Sequence, residues 1–193
     1  MTGTSSGTAA RPERGPTRAE LQAYEGRTLP DVIAPGLRVL FCGINPGLYT
    51  AWAGHHFARR GNRFWPALHR SGFTPRLFEP SEQDELLTLG LGVTNVVARA
   101  SATAAELAAA ELRAGGASLR RTVERAAPSY LAVLGVTAYR SAFGAPRAVH
   151  GQQSRRLGAT TVWVLPNPSG LNAHFSLDAL AALFAELRLA ADS

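Results

Sequence analysis

Leu37-Arg38-Val39-Leu40-Phe41-Cys42-Gly43-Ile44-Asn45-Pro46-Gly47 is an apolar run that passes straight into an Asn-Pro turn. The arrangement recurs far along the chain, where Thr161-Val162-Trp163-Val164-Leu165 leads to Asn167-Pro168-Ser169-Gly170-Leu171-Asn172. Short apolar runs rich in β-branched residues read as buried strands. In an open α/β sheet the loops leaving the carboxyl ends of parallel strands converge on one crevice, so two turns remote in sequence are expected to share a site.

Further apolar runs at 91–97 and 130–134 bring the expected strands to four, with 37–42 and 161–165. Between and around them lie helical patterns at 63–71, 82–89, 104–113, 118–126, 137–143 and 177–189, and Thr17 opens a short helix toward Tyr24. The last long pattern is the clearest, with Leu177, Leu180, Leu183, Phe184 and Leu187 on one helical face. Strand and helix alternating in this way predict right-handed crossovers and a three-layer α/β/α sandwich around a central, mostly parallel sheet. Residues 1–16, rich in Thr, Ser, Gly, Ala and Pro, read as a flexible N-terminal arm, and 17–193 as a single domain.

Composition narrows the function. Twenty Lys plus Arg against 14 Asp plus Glu leave a net charge of +6, which favours a polyanionic partner. All of those cations are arginine, so chemistry through a lysine Schiff base is excluded. The single cysteine, Cys42, excludes an intramolecular disulfide and a cysteine-ligated iron–sulfur cluster, and its place at a strand end suggests a buried small hydrophobe. His55 and His56 are adjacent but lack the spacing of a metal site, and no apolar stretch approaches membrane-span length. With no signal-peptide core at the start, a cytoplasmic, DNA-accessible location is expected.

The two turns come with landmarks in a fixed order: Phe57, Asn62-Arg63-Phe64-Trp65, Gly92-Val93-Thr94-Asn95-Val96-Val97, Gly115-Gly116 and Val162-Trp163-Val164-Leu165. Taken together, from about Leu37 to Leu189, they resemble the thymine-DNA glycosylase family, and within it the bacterial mismatch-specific uracil-DNA glycosylases. The resemblance implies the uracil-DNA glycosylase fold and a monofunctional, cofactor-free enzyme that needs no metal. Its substrate would be double-stranded DNA carrying uracil, or another mismatched pyrimidine, opposite guanine, and the enzyme would act as a monomer near the nucleoid. Thymine, ethenocytosine and other modified pyrimidines are further candidate bases.

Residue by residue, Asn45 matches the family's catalytic asparagine. Its amide can orient a water but cannot take a proton as a carboxylate would, so turnover should be slow. Gly43, Ile44, Pro46 and Gly47 form the base pocket with Phe57, which matches the aromatic that stacks on the flipped base, and Asn167, which matches the residue lining the opposite wall. The glycine at 47 predicts a roomy pocket, because a bulky side chain there would exclude a 5-substituted pyrimidine. The Ile44–Gly47 turn can also aim backbone dipoles at the leaving base.

An enzyme acting on a base inside a duplex must extrude it and fill the gap, and DNA glycosylases as a class work in this way. Leu171 matches the family's intercalating wedge, with Gly170 and Asn172 beside it matching residues that contact the widowed guanine. Ser169 and the loop N–H groups are placed to hold a phosphate. In Asn62-Arg63-Phe64-Trp65 the expectation is structural, with Asn62 capping a helix and Phe64, Trp65 and Leu68 in the core.

Two departures stand out. Ala98 occupies a position where relatives usually carry an acid, which could support a sugar cation and would be expected near Asn45. Ala173 replaces a basic residue of some relatives, with His174 its nearest substitute. Ala98 therefore also supports an alternative, a lesion-binding module of low or absent turnover. A doubly wound nucleotide-binding protein is disfavoured, because Gly43–Gly47 lacks the glycine spacing and the lysine of a phosphate-binding loop.

Overall fold

The computed structural model describes residues 15–193, so the arm expected at 1–16 lies almost wholly outside the described residues. The elements follow as α1 Arg18–Gln22, β1 Val39–Gly43, α2 Leu48–Ala53, α3 Phe64–Arg70, α4 Glu85–Thr88, β2 Leu91–Asn95, α5 Ala109–Ala126, β3 Tyr130–Leu134, α6 Val136–Phe143, β4 Gly151–Leu157, β5 Thr160–Leu165 and α7 Leu177–Ala191. Single 3-10 turns lie at Pro80–Glu82 and Ala104–Glu106. The strands form one sheet in the order β2-β1-β3-β5-β4, parallel except for β4, which runs antiparallel to β5.

Alternation along the strands divides the core between two faces. Val39, Phe41, Leu91, Val93, Ala132, Leu134, Trp163 and Leu165 join the layer formed with α3 and α7. Leu40, Cys42, Leu131, Val133, Val162 and Val164 join the layer formed with α5 and α6. A sheet buried on both faces in this way is the three-layer sandwich expected of alternating strands and helices.

Helix α7 docks through Leu180, Phe184 and Leu187, all fully buried, each contributing roughly 1.5–3 kcal/mol. Ser176 caps it, accepting from the Ala179 N–H at 3.1 Å. The position of the loop that precedes α7 is therefore set by a well-anchored helix. Cys42 is buried, as a small hydrophobe at a strand end should be.

Three elements differ from expectation for physical reasons. The helices expected at 104–113 and 118–126 are largely one helix, α5, preceded by the Ala104–Glu106 turn. Gly115 and Gly116 do not break it; a Cβ on either would lie 2.3 Å from the Val96 or Ala142 carbonyl oxygen, so they permit close packing against the segment after β2 and against α6. Strand β4, Gly-Gln-Gln-Ser-Arg-Arg-Leu, lacks apolar alternation because it is a largely exposed edge. Helix α2 spans only Leu48–Ala53 before Gly54 closes it in the left-handed region, too short to show a periodicity.

Candidate active site

Strands β1 and β5 both end at one rim of the sheet. There the turn after β1 and the loop after β5 face each other across a cavity of about 390 Å³. Gly43, Ile44, Asn45, Pro46, Gly47, Phe57, Asn167, Ser169, Leu171 and Asn172 all line it, so the structure brings together ten of the twelve positions singled out in the sequence. Gly170 adjoins the lining without being part of it, and Ala98 lies elsewhere.

The first turn is laced to the chain leaving β2. The carbonyls of Gly43, Ile44 and Pro46 accept from the N–H groups of Val96, Val97 and Ser101 at 2.9, 2.9 and 3.2 Å. A Cβ at Gly43 would lie 2.5 Å from Asn95 Oδ1 and 3.3 Å from the Phe57 ring, so a larger residue there would displace the Asn95 side chain. A Cβ at Gly47, by contrast, would meet nothing within 4 Å, which leaves open space beside the turn. The Asn45 Nδ2 donates to the Arg99 carbonyl at 3.1 Å, the Pro46 carbonyl at 3.2 Å and Ser101 Oγ at 2.8 Å. Its Oδ1 has no partner among the described residues.

Phe57 adopts φ 55°, rare for an aromatic residue, and its ring stacks on the fully buried Phe64 with centroids 4.1 Å apart. The strained backbone and the buried backing ring fix Phe57 as a flat apolar wall. Beside it, His56 is 1% exposed, and its Nε2 lies 3.0 Å from the Pro30 carbonyl. Burial pushes the imidazole pKa below its ordinary value of 6.5, so the ring is neutral near pH 7. With Nε2–H donated to Pro30, Nδ1 is left as the acceptor facing Asn95 Nδ2 at 3.5 Å.

The second loop is tied mostly to itself. Asn167 Oδ1 accepts from the Ser169 N–H at 2.9 Å, and the Asn172 N–H donates to the Ser169 carbonyl at 2.9 Å. The Leu171 N–H donates to Ser169 Oγ at 3.3 Å, and Asn172 bridges the Asn167 carbonyl and the His174 N–H. Two expectations change as a result. The N–H groups of 169, 171 and 172 are used inside the loop and do not form a phosphate cradle. The Asn172 side chain is a strut, with both its ends engaged. Leu171 nevertheless stands 73% exposed at the cavity edge, and Gly170 packs so close to residue 61 that a Cβ would meet the Gly61 carbonyl at 2.6 Å.

Ala98 is the other correction. After β2 ends at Asn95, Val96 and Val97 turn into the core and Ala98 is left exposed on a second cavity beside Arg99, Glu111 and α5. The chain reaches Asn45 through the Arg99 carbonyl and then the Ser101 hydroxyl, and Ser101 pairs with Gly47 in a parallel bridge. Arg99 itself is held at 2.6 Å by Glu111, whose carboxyl is brought down to about 2 by that hydrogen bond and by the Ala108 N–H.

Sequence reasoning missed Arg63, Asn95 and Ser101. Phe64, Trp65 and Leu68 are buried as expected, and Asn62 Oδ1 accepts from the Phe64 N–H at 2.9 Å, although Arg63 is the cap residue itself. The Arg63 guanidinium reaches across to the carbonyls of Ser169 and Asn172, at 2.7 Å each, and of Phe175. Nothing local signals partners so remote. Asn95 could have been found, because it ends β2 in register with Gly43 at the end of β1.

Among the described residues no cluster of three His, Cys, Asp or Glu side chains is arranged to hold a metal, and no helix is long and apolar enough to cross a membrane. The sequence pattern of the Uracil DNA glycosylase superfamily matches residues 30–188, which includes both loops and every residue named in the cavity. The fold is also that of a protein from Methanosarcina acetivorans, known from a solution NMR structure and described as a candidate uracil DNA glycosylase. The two align at a TM-score of 0.54 and 19% identity, over 84% of this chain and 98% of that one. By its sequence over most of its length, the chain belongs to the uracil DNA glycosylase superfamily.

Proposed function

We propose that this protein is a monofunctional DNA glycosylase that removes uracil from G-mismatched double-stranded DNA, as in the bacterial mismatch-specific branch of the thymine-DNA glycosylase family. The observation that carries the reading is the pairing, on one cavity, of an Asn45 Oδ1 that has no partner among the described residues with an exposed Leu171. The first offers an acceptor for a water, and the second an apolar tip for the gap that a flipped base leaves.

In this mechanism the duplex lies over the strand ends and Leu171 enters the stack as the pyrimidine rotates out. The base comes to rest against Phe57, between the Ile44–Gly47 turn and Asn167. Asn45 Oδ1 accepts a hydrogen from water and aims its oxygen at the sugar C1′. The C1′–N1 bond breaks with its electron pair leaving on the base, water oxygen bonds to C1′, and the surplus proton passes to solvent. No residue takes that proton, which makes positioning the main source of rate. Open space beside Gly47 supports admission of thymine, ethenocytosine and other 5-substituted or enlarged pyrimidines.

The protein works without a cofactor, as a monomer, in the cytoplasm at the nucleoid. Strand-separated DNA should be a poorer substrate, because the wedge acts only in a stack.

One observation favours a second reading. Among the described residues no Asp or Glu lines the cavity. Without a carboxylate to stabilise the sugar cation, the protein would hold an extruded base with little turnover. The separating experiment uses end-labelled duplexes with one U·G, T·G, U·A or ethenocytosine·G pair, and single-stranded uracil DNA, at saturating enzyme. Alkali-labile abasic sites, appearing first in U·G, support the glycosylase. Tight binding to U·G with no abasic product supports the binding module.

A further inference from the structure

The two ends of an asparagine amide make opposite demands: Nδ2 only donates and Oδ1 only accepts. Three atoms surround the Asn45 amide, the carbonyls of Pro46 and Arg99 and the hydroxyl of Ser101. The carbonyls can only accept. The hydroxyl could play either part, but its hydrogen goes to the Thr103 carbonyl at 2.8 Å, so a lone pair faces Asn45. All three neighbours are therefore acceptors. Turning the amide over would set Oδ1 against three oxygens, so it is held with Nδ2 inward and Oδ1 toward the cavity.

Among the described residues Ser101 is the one side chain in that cradle. It is 1% exposed, its own N–H is bonded to Pro46, and Thr103 beyond it is fixed by the Glu106 carboxylate through backbone and hydroxyl. The relay from Glu106 through Thr103 and Ser101 to Asn45 thus has a direction. We propose that Ser101 is a positioning residue that locks the Asn45 amide in the water-accepting orientation, and that this cradle selects an amide over a carboxylate at position 45. The claim about water rests on the glycosylase reading; the claim about orientation does not.

A carboxylate at 45 would turn an oxygen toward three acceptors. Ser101 could relieve only one of these contacts, by withdrawing its hydrogen from Thr103. Asn45→Asp should therefore fail to match the parent even though a carboxylate is the stronger base.

The test compares Ser101→Ala and Ser101→Cys with the parent. Cysteine keeps a similar shape with a weaker acceptor. Three quantities are measured: uracil release from U·G duplex in a single turnover, Kd for that duplex, and solvent exchange of the Asn45 Nδ2 protons by NMR. The proton signals are assigned by their loss in Asn45→Ala. The expected result is release slowed about tenfold in Ser101→Ala and less in Ser101→Cys, with Kd unchanged. In the Asn45→Ala background Ser101→Ala should change the residual release no further, and the Nδ2 protons should exchange faster once Ser101 is gone. Release at the parent rate in Ser101→Ala, a loss of equal size without Asn45, or exchange alike in both proteins would overturn the proposal. If the parent releases no uracil from any duplex, the glycosylase reading fails, and the exchange comparison alone decides whether Ser101 orients Asn45.

Discussion

Arg63 donates to the Ser169 carbonyl at 2.7 Å across 106 residues of sequence, and the same guanidinium holds the carbonyls of Asn172 and Phe175. A planar cation with several donors can clasp a curled loop by its oxygens, which a single ammonium cannot do as well. The loop carrying Leu171 is therefore clasped from outside as well as by its own hydrogen bonds.

Arg63→Ala should loosen residues 168–173, seen as faster backbone hydrogen exchange there, and lower stability by about 2–4 kcal/mol for the lost charged hydrogen bonds. Arg63→Lys should recover the charge but little of the protection. Unchanged exchange in the loop of Arg63→Ala would show that the loop's own bonds suffice.

Leu171→Ala should weaken binding to a U·G duplex by about fivefold, near 1 kcal/mol of lost apolar contact, and leave binding to single-stranded uracil DNA nearly as it was. Leu171 is exposed in the free protein, so its truncation should not alter thermal stability. Equal losses on both substrates would argue against a wedge.

The strand-end rule made most of this site legible. Gly43 to Gly47 and Asn167 to Asn172 were readable because each follows an apolar strand, and parallel strands bring their ends together. The edge strand Gly151–Leu157 was not readable, since half-exposed polar residues carry no period-2 signal. Arg63 was hidden for another reason: it borders two core residues, and its partners are backbone carbonyls whose identity leaves no trace in sequence. Ser101 and Ala98 show the limit of resemblance. Three residues apart, they end on different cavities, with the fully buried Ala100 between them.

Ala98→Asp should accordingly leave the single-turnover rate within about twofold, because any effect from beyond the site walls acts over a longer distance and through solvent. The new acid would stand near Glu111 instead of the sugar. A tenfold gain in rate, equal to about 1.4 kcal/mol, would show that position 98 does reach the reacting centre.

His56 gives the fold a pH dependence. Its pKa is lowered on folding, chiefly by burial, so the unfolded chain binds the proton more readily. Stability is then greatest above the unfolded value of 6.5 and declines as pH falls below it toward the folded value. His150, also lowered by burial, adds a slope of the same sign. Thermal melts between about pH 7.5 and 5.5 should show Tm falling with pH, and His56→Gln should flatten that slope in part, leaving the share of His150. A slope identical in His56→Gln and parent would remove His56 as a cause.

The central claim is that Asn45 performs the chemistry without holding the DNA. Asn45 lines the cavity and its Nδ2 is bonded to protein, which leaves Oδ1 as the free end of the amide among the described residues, so Asn45→Ala is expected to remove a water ligand and no phosphate contact. The direct measurement is uracil release from a U·G duplex in a single turnover at saturating Asn45→Ala, with Kd for the same duplex measured alongside. The account predicts release slowed by about a hundredfold or more with Kd within about threefold of the parent. Release within a few-fold of the parent would contradict it.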